Sequence, residues 1–254
     1  MASVSDNYVK MLYKRYRHFA AWLPNTNVQL GDVGFIRGMY FKRISTLKLL
    51  GVDFTMRVGK KPLVFNDDLT AGLEMRAKAA GEIAVGTTLP VAEAGVSIDF
   101  ADKGAFVFHA VNCYADEIEN KEGLGKKLIA LGNKWDLGWA VVDTIVRAGS
   151  ATILVANEGK SRIELTAKSD VVVSNLAKPG LGLEVASKNG DVTQFLAEKG
   201  LTPLFRLSWF HHSWTEWLLG QRKQLYFGGE ISRGRQPKVP ILQEVTLDLQ
   251  EIET

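Results

Sequence analysis

The chain has 254 residues, 46% of them hydrophobic and 23% charged, with a formal net charge of +3 and a single cysteine. That size and composition fit a folded protein with a substantial core, and they exclude a disordered or fibrous chain and a disulfide-stapled scaffold. No run of eighteen apolar residues is present, which excludes a membrane-spanning helix but leaves insertion as β-hairpins open, because alternating strands hide inside an ordinary composition.

Charge is unevenly spread. Residues 1–61 hold 11 Lys/Arg against 3 Asp/Glu, and residues 220–240 hold 5 against 1. The last fourteen residues carry only acids, Glu244, Asp248, Glu251 and Glu253, and the body between is mildly acidic. The basic segments admit an anionic lipid or nucleic-acid partner, although such stretches are more often solvated faces. The start, MASVSDNYVK, precedes no long apolar segment, and the lone cysteine suits a reducing compartment, so a cytoplasmic location is expected.

In chain order, Val9, Leu12, Tyr16, Phe19/Ala20 and Leu23 recur at helical spacing while Lys10, Lys14 and Arg17 follow another stripe. This predicts a basic amphipathic helix over about 7–23, capped by Asp6 and stopped by Pro24 and Asn25. It would either dock on the protein or lie on an anionic membrane. Residues 28–58 are short apolar groups broken by Gly31, Gly34, Gly38 and Gly51, with Ile44–Leu50 long enough for a brief helix or strand.

From Leu69 the period becomes two: Leu73, Met75, Ala77 and Ala79 alternate with Glu74, Arg76 and Lys78. Val96, Ile98 and Phe100 alternate with Ser97 and Asp99, and Asp102, Lys103 and Gly104 lead into Ala105–Val111, which reads as a hairpin. Asp116–Leu131 reads as a short helix despite Gly123 and Gly125. A meander is expected next, of Trp139–Arg147, Ala151–Ala156 and Ser161–Ala167, the last with Ile163 and Leu165 on one face. Leu181, Leu183 and Val185 suggest another strand, Lys188–Asp191 a turn, and Leu204–Phe210 a further strand. The expected class is α+β, a mainly antiparallel twisted β-sheet with amphipathic hairpins and flanking helices. It forms one domain over 1–254, with a short tail after 220 that could be regulatory.

No catalytic constellation emerges. A Walker A loop and a G-x-G-x-x-G turn are both missing. Cys113 follows His109 by four residues without a nucleophile-and-base pattern, and His211-His212 lacks spaced partners for a metal, so no cofactor or metal is expected. Asp67-Asp68 and Asp116-Glu117 read as surface acids. Trp209, Phe210, Trp214, Trp217 and Leu218 suit packing or membrane-interface anchoring. Arg222, Lys223, Arg233, Arg235 and Lys238, with Tyr226 and Phe227, would suit an anionic surface or, as the weaker reading, single-stranded nucleic acid.

Taken in order, the basic amphipathic start, LPNTNVQLGDVG, two amphipathic hairpins around FVFHAVNCYADEIENKEGLGKKLIAL and the later mixed region resemble the pore-forming domain of gasdermins across most of residues 7–210. The resemblance implies a water-soluble form that meets acidic lipid, homo-oligomerises and opens a transmembrane β-barrel. It would assign lipid contact to Lys10, Lys14, Arg15 and Arg17, joined by the later basic residues Arg222, Lys223, Arg233 and Arg235. Spanning strands would come from portions of 69–84, 94–111, 139–156 and 161–168, with Leu73, Met75, Ile98, Phe100, Ile163 and Leu165 facing lipid and Glu74, Arg76, Lys78, Asp99 and Glu164 facing water. Small bacterial members carry a cysteine near the start where this chain has Ala2 and Ser3, and animal members carry a large inhibitory domain where it has a short tail. An unidentified protein activator is compatible with this reading. The rival reading is a non-enzymatic adaptor with a basic partner-binding surface, and an enzyme built from distant residues is the third.

Overall fold

A computed structural model describes residues 3–67, 73–77, 96–166, 176–177, 183–210 and 242–245. The first helix, α1, is Val4–Tyr16, shorter than the expected 7–23. Ser3, not Asp6, is its N-cap: the Ser3 hydroxyl accepts from the Asp6 amide at 3.1 Å and the Ser3 amide donates to Asp6 Oδ2 at 2.9 Å, a reciprocal capping box. Arg17 ends the helix in a left-handed conformation (φ 56°), seven residues before the proline expected to stop it. The released chain forms β1, Phe19–Ala20.

Residues 28–58, hard to assign from pattern, hold a hairpin of β2 (Asp32–Arg37) and β3 (Tyr40–Thr46), turned at Gly38 with φ 57°. Next come β4 (Met56–Arg57), β5 (Leu63–Asp67), β6 (Leu73–Ala77), β7 (Val96–Phe100) and β8 (Phe106–Ile118). The second helix, α2, is Lys121–Ala130, so Asp116–Ile118, expected to be helical, belong instead to β8. Then follow β9 (Ala140–Arg147), β10 (Ser150–Ala156), β11 (Ser161–Thr166), β12 (Glu184–Asn189), β13 (Val192–Glu198), β14 (Leu204–Phe210) and β15 (Leu242–Glu244). Nearly every expected strand is present, β1, β4, β5, β13 and β15 lie where no strand was expected, and all pairs among the described residues are antiparallel.

Strand pairing departs from the expected hairpins. One large sheet runs β1-β14-β9-β8-β10-β13, and a four-stranded sheet runs β12-β11-β7-β6. Thus β7 does not pair with β8, and β9, β10 and β11 form no meander: β10 pairs with β8 and β13, while β11 pairs with β7 and β12. The physical reason is burial on two faces. In β9 and β10 nearly every residue is buried, a pattern that fits a central strand between layers and not a half-wet hairpin. Short turns at 101–105, 157–160 and 190–191 carry the chain between sheets instead of back along the same sheet.

The organising strand is β8. Its first half pairs with β10 and β5, and its second half with β9 and β4. Between the halves Asn112 takes φ 52°, and the parity of the strand changes there: Phe106, Phe108 and Ala110, then Cys113, join the same apolar cluster. That cluster also takes in Tyr8, Val9, Leu12 and Tyr13 of α1 and Val142, Val146, Phe205 and Leu207 of the large sheet. A second cluster joins Val107, Leu154, Ala156 and Val192 to the four-stranded sheet, and a third joins Leu124 and Leu128 of α2 to Val33, Val141 and Phe210. Among the described residues no helix is long and apolar enough to cross a membrane.

Candidate functional site

Three features carry the sequence-derived site residues: the N-terminal helix, the four-stranded sheet and a basic sheet edge. In α1 the apolar stripe Tyr8, Val9, Leu12 and Tyr13 is buried in protein, so the helix is docked and its apolar face is not offered to lipid in this fold. Lys10 and Lys14 are half-buried, whereas Arg15 and Arg17 are exposed at the helix C-terminus, where their charge also complements the helix dipole. Arg222, Lys223, Arg233 and Arg235, and with them Trp214, Trp217 and Leu218, lie outside the described residues.

The six residues assigned to a lipid-facing role are brought together on one face of the four-stranded sheet. Ile98, Phe100, Ile163 and Leu165 are fully buried against the large sheet, and Leu73 and Met75 pack at the margin of the same cluster. Ile98 sits directly opposite both Met75 and Ile163 in the strand register, and Phe100 sits opposite Leu73. On the other face Arg162 pairs with Asp99 across β11 and β7. The sheet consists of two antiparallel pairs, β6–β7 and β11–β12, joined through β7 and β11. Segment 139–156, portions of which the resemblance would make spanning strands, holds β9 and β10, buried on both faces in this fold. Lys78 lies outside the described residues.

A third feature escaped pattern reading. Strands β4 and β5 lie one after the other along the same edge of β8, with Arg57 opposite Glu117 and Leu63 opposite Cys113. Five residues separate Arg57 from Leu63 while three separate their partners, so the intervening turn bulges from the edge. Gly59 anchors it by donating its backbone N–H to Asp116 Oδ1 at 3.0 Å, and an added Cβ there would meet the Ala115 carbonyl oxygen at 2.5 Å. Met56, Val58, Leu63 and Val64 are 48%, 47%, 41% and 62% exposed, with Arg57, Lys60 and Lys61 exposed between them. The signal in the sequence was MRVGKKPLV, apolar residues around a basic Gly/Pro turn, but its apolar positions fit neither a period of two nor one of 3.6.

Several other polar groups among the described residues have structural partners. Asp143 is buried in β9 and accepts from Ser208 Oγ, from Thr144 Oγ1 at 2.6 Å and from Lys121 Nζ at 3.0 Å, which ties the start of α2 to the large sheet. Ser208 is fully buried, so no substrate reaches its hydroxyl. Burial pushes the Cys113 thiol up to about 12, away from nucleophile chemistry, and His109 is buried opposite Thr152 and Asn66. A shallow cleft at the start of α2 is lined by Asp53, Phe54, Thr55, Asn120, Gly123, Leu124 and Lys127, with Lys127 Nζ donating to the Asp53 carbonyl at 2.6 Å. Among the described residues no three His, Cys, Asp or Glu side chains gather as a metal site. His211 and His212 lie outside the described residues. No family model matches the chain, and no curated protein matches it.

Proposed function

We propose that the protein permeabilises acidic lipid membranes by releasing two β-hairpins, β6–β7 and β11–β12, which extend and join those of neighbouring copies in a transmembrane barrel. The observation that carries this reading is the four-stranded sheet itself: two antiparallel pairs side by side, apolar on one face and charged on the other, held to the rest of the fold by the apolar face. The stretches Leu73–Phe100 and Ser161–Asn189 are nearly equal in length, and each has room for two strands of about 10 residues and a turn, the size needed to cross a bilayer. Alternation is what a barrel wall requires, with lipid on one side, water on the other and closure to satisfy the edges.

Energetics permit the exchange. Lifting the hairpins exposes Ile98, Phe100, Ile163 and Leu165, at about 1.5–3 kcal/mol each if they met water, and hydrocarbon would restore that burial. The water-soluble fold is therefore stable against release until a membrane is at hand. The second hairpin of this proposal is β11–β12, which keeps the 161–168 segment suggested by the resemblance and replaces 139–156 with β12.

The test is dye release combined with sedimentation, using vesicles of phosphatidylcholine alone and vesicles containing phosphatidylserine. Release confined to the phosphatidylserine vesicles, with oligomers recovered from the pelleted membrane, is expected. Complete dye retention over a wide protein range would overturn pore formation, and a monomer that binds without release would select the adaptor reading.

A further inference from the structure

From the position of α1 against the sheet edge, we infer that the edge formed by residues 56–65, together with the C-terminal end of α1, is the surface by which the folded protein first docks on an anionic membrane. The inference rests on the proposed action at acidic membranes and names the part of the water-soluble fold that makes contact before any hairpin moves.

One ring contact joins the two elements. Tyr16, in the last turn of α1, packs edge-on against Phe65 of β5, with ring centroids 5.0 Å apart. Arg15 and Arg17 flank Tyr16 in the chain, and Val64 precedes Phe65. The helix end thus packs on the Phe65 side of β5, with Arg15 and Arg17 exposed there and Leu63 and Val64 exposed along the edge. From there the chain runs back through Leu63, Pro62, Lys61 and Lys60 to Val58, all exposed.

Adjacent residues of a strand point to opposite faces, yet Leu63 and Val64 are both open. A register shift falls between Leu63 and Phe65, so strict alternation is broken there: Phe65 and Cys113, the partner of Leu63, are buried in the cluster that α1 covers, while Leu63 and Val64 stay open at the edge. An edge of this kind, apolar and unpaired on its outer side among the described strands, is a contact surface.

Charge decides the occupant. The two acids facing the middle of this edge are each held by an arginine, Glu117 by Arg57 and Asp116 by Arg147. Asp53 and Glu119 lie beyond Met56, at the end next to α2. Among the described exposed side chains, the remaining charge in the middle and at the α1 end is Lys60, Lys61, Arg15 and Arg17. A second copy offering the same edge in antiparallel register would set these lysines against their own counterparts, and Pro62 withholds a ladder donor, so self-pairing is disfavoured. Lysines flanking short apolar side chains suit lipid headgroups over a shallow apolar layer, with each cation near an anionic surface adding attraction.

The experiment places a polarity-sensitive fluorophore on Val64→Cys. Cys113 is buried and need not be replaced. Mixed with phosphatidylserine-containing vesicles, the label is expected to brighten and shift to the blue, and with phosphatidylcholine vesicles to stay unchanged. In parallel, Lys60→Glu/Lys61→Glu is expected to weaken binding to the anionic vesicles at least tenfold. Lys103→Glu/Lys199→Glu, with the same change in net charge at exposed sites away from this edge, is expected to weaken it less than threefold. An unchanged label on bound protein, or equal losses in both double variants, would overturn the docking surface. So would brightening with protein concentration in the absence of lipid, which would assign the edge to a second copy. Dye release with an unresponsive label would remove this surface and leave pore formation standing. A responsive label without release would do the reverse, and no binding at all would overturn both.

Discussion

Arg147 of β9 grips Asp116 of β8 with two hydrogen bonds, Nη2 to Oδ1 at 3.1 Å and Nε to Oδ2, while Oδ1 also accepts the Gly59 amide. One buried carboxylate thus holds the bulged turn of the basic edge to the strand that spans both halves of the large sheet. The Arg147 guanidinium holds the Asp116 carboxyl below the usual carboxylate range, against the opposing effect of burial. The charged form is the one bound in the fold, so the stabilisation is complete above the ordinary value near 4 and is lost as pH falls through it toward the lowered one. Asp116→Asn is expected to cost about 2 kcal/mol at pH 7, in the range of hydrogen bonds to charged groups, and to cost less near pH 3. Urea denaturation across this pH range measures both. Equal losses at pH 7 and pH 3 would refute the assignment.

Local pattern made the strands legible and left their partners hidden. Ile98 and Phe100 announce an alternating strand, and Leu204–Phe210 announce another, because side-chain periodicity is a property of the strand alone. Whether Phe100 turns back beside Phe106 or crosses to another sheet depends on layers that the local pattern does not encode. The adjacency of short turns favoured hairpins, whereas the unbroken burial of β9 and β10 is the trace of a two-faced interior. At the N-terminus the helical stripe reads on through Phe19/Ala20 to Leu23 because β1 continues the apolar sequence, although Arg17 has already left the helix. The basic edge was least legible, since Val58 and Leu63 are apolar without period, and only their exposure gives them meaning.

Tyr40 Oη donates to Asp6 Oδ1 at 2.7 Å, which joins the first turn of α1 to the β2–β3 hairpin. The same carboxylate closes the capping box with Ser3, so Asp6 serves a local and a tertiary bond at once. Tyr40→Phe is expected to lose about 1 kcal/mol, as is Ser3→Ala at the cap. A urea-melt cycle on Tyr40→Phe and Asp6→Ala should show coupling of about 1 kcal/mol, because those two share a bond. Additive losses in that cycle would mean that α1 and the hairpin are not joined through this contact.

Cys113 lies in the apolar cluster beneath α1, and burial raises its thiol to about 12. At pH 8 its thiolate fraction is then roughly a thousandfold below that of an ordinary thiol near 8.5. Ellman's reagent is expected to react with the native protein at least a hundredfold more slowly than with the denatured protein. Comparable rates in the two states would place the thiol at the surface and overturn the parity change at Asn112 that turns it inward.

Gly190 bears on how the two sheets are held together. It occupies φ 81° in the turn from β12 to β13, and an added Cβ would meet Ser161 Oγ at 2.6 Å and Ser161 Cα at 3.1 Å. Three crossings meet at this corner. The Gly104 amide donates to the Ala156 carbonyl at 2.8 Å, Lys160 to Ala101 at 3.0 Å and Asn157 to Asp191 at 2.8 Å, while the Asp191 amide reaches Glu158 Oε1 at 2.9 Å. Gly190→Ala combines an unfavourable backbone region with contact on a neighbouring turn, and is expected to destabilise the protein by about 1–3 kcal/mol. Gly38, with φ 57° and open space around it, has the backbone constraint alone, so Gly38→Ala is expected to cost about 1 kcal/mol. Because the strain at Gly190 falls where the four-stranded sheet meets the large one, amide exchange in β11 and β12 should accelerate more than in β2 and β3 in the Gly190 variant. Uniform acceleration would mean that the corner is no hinge between the sheets, and that the hairpins are held by the apolar face of Ile98, Phe100, Ile163 and Leu165 alone.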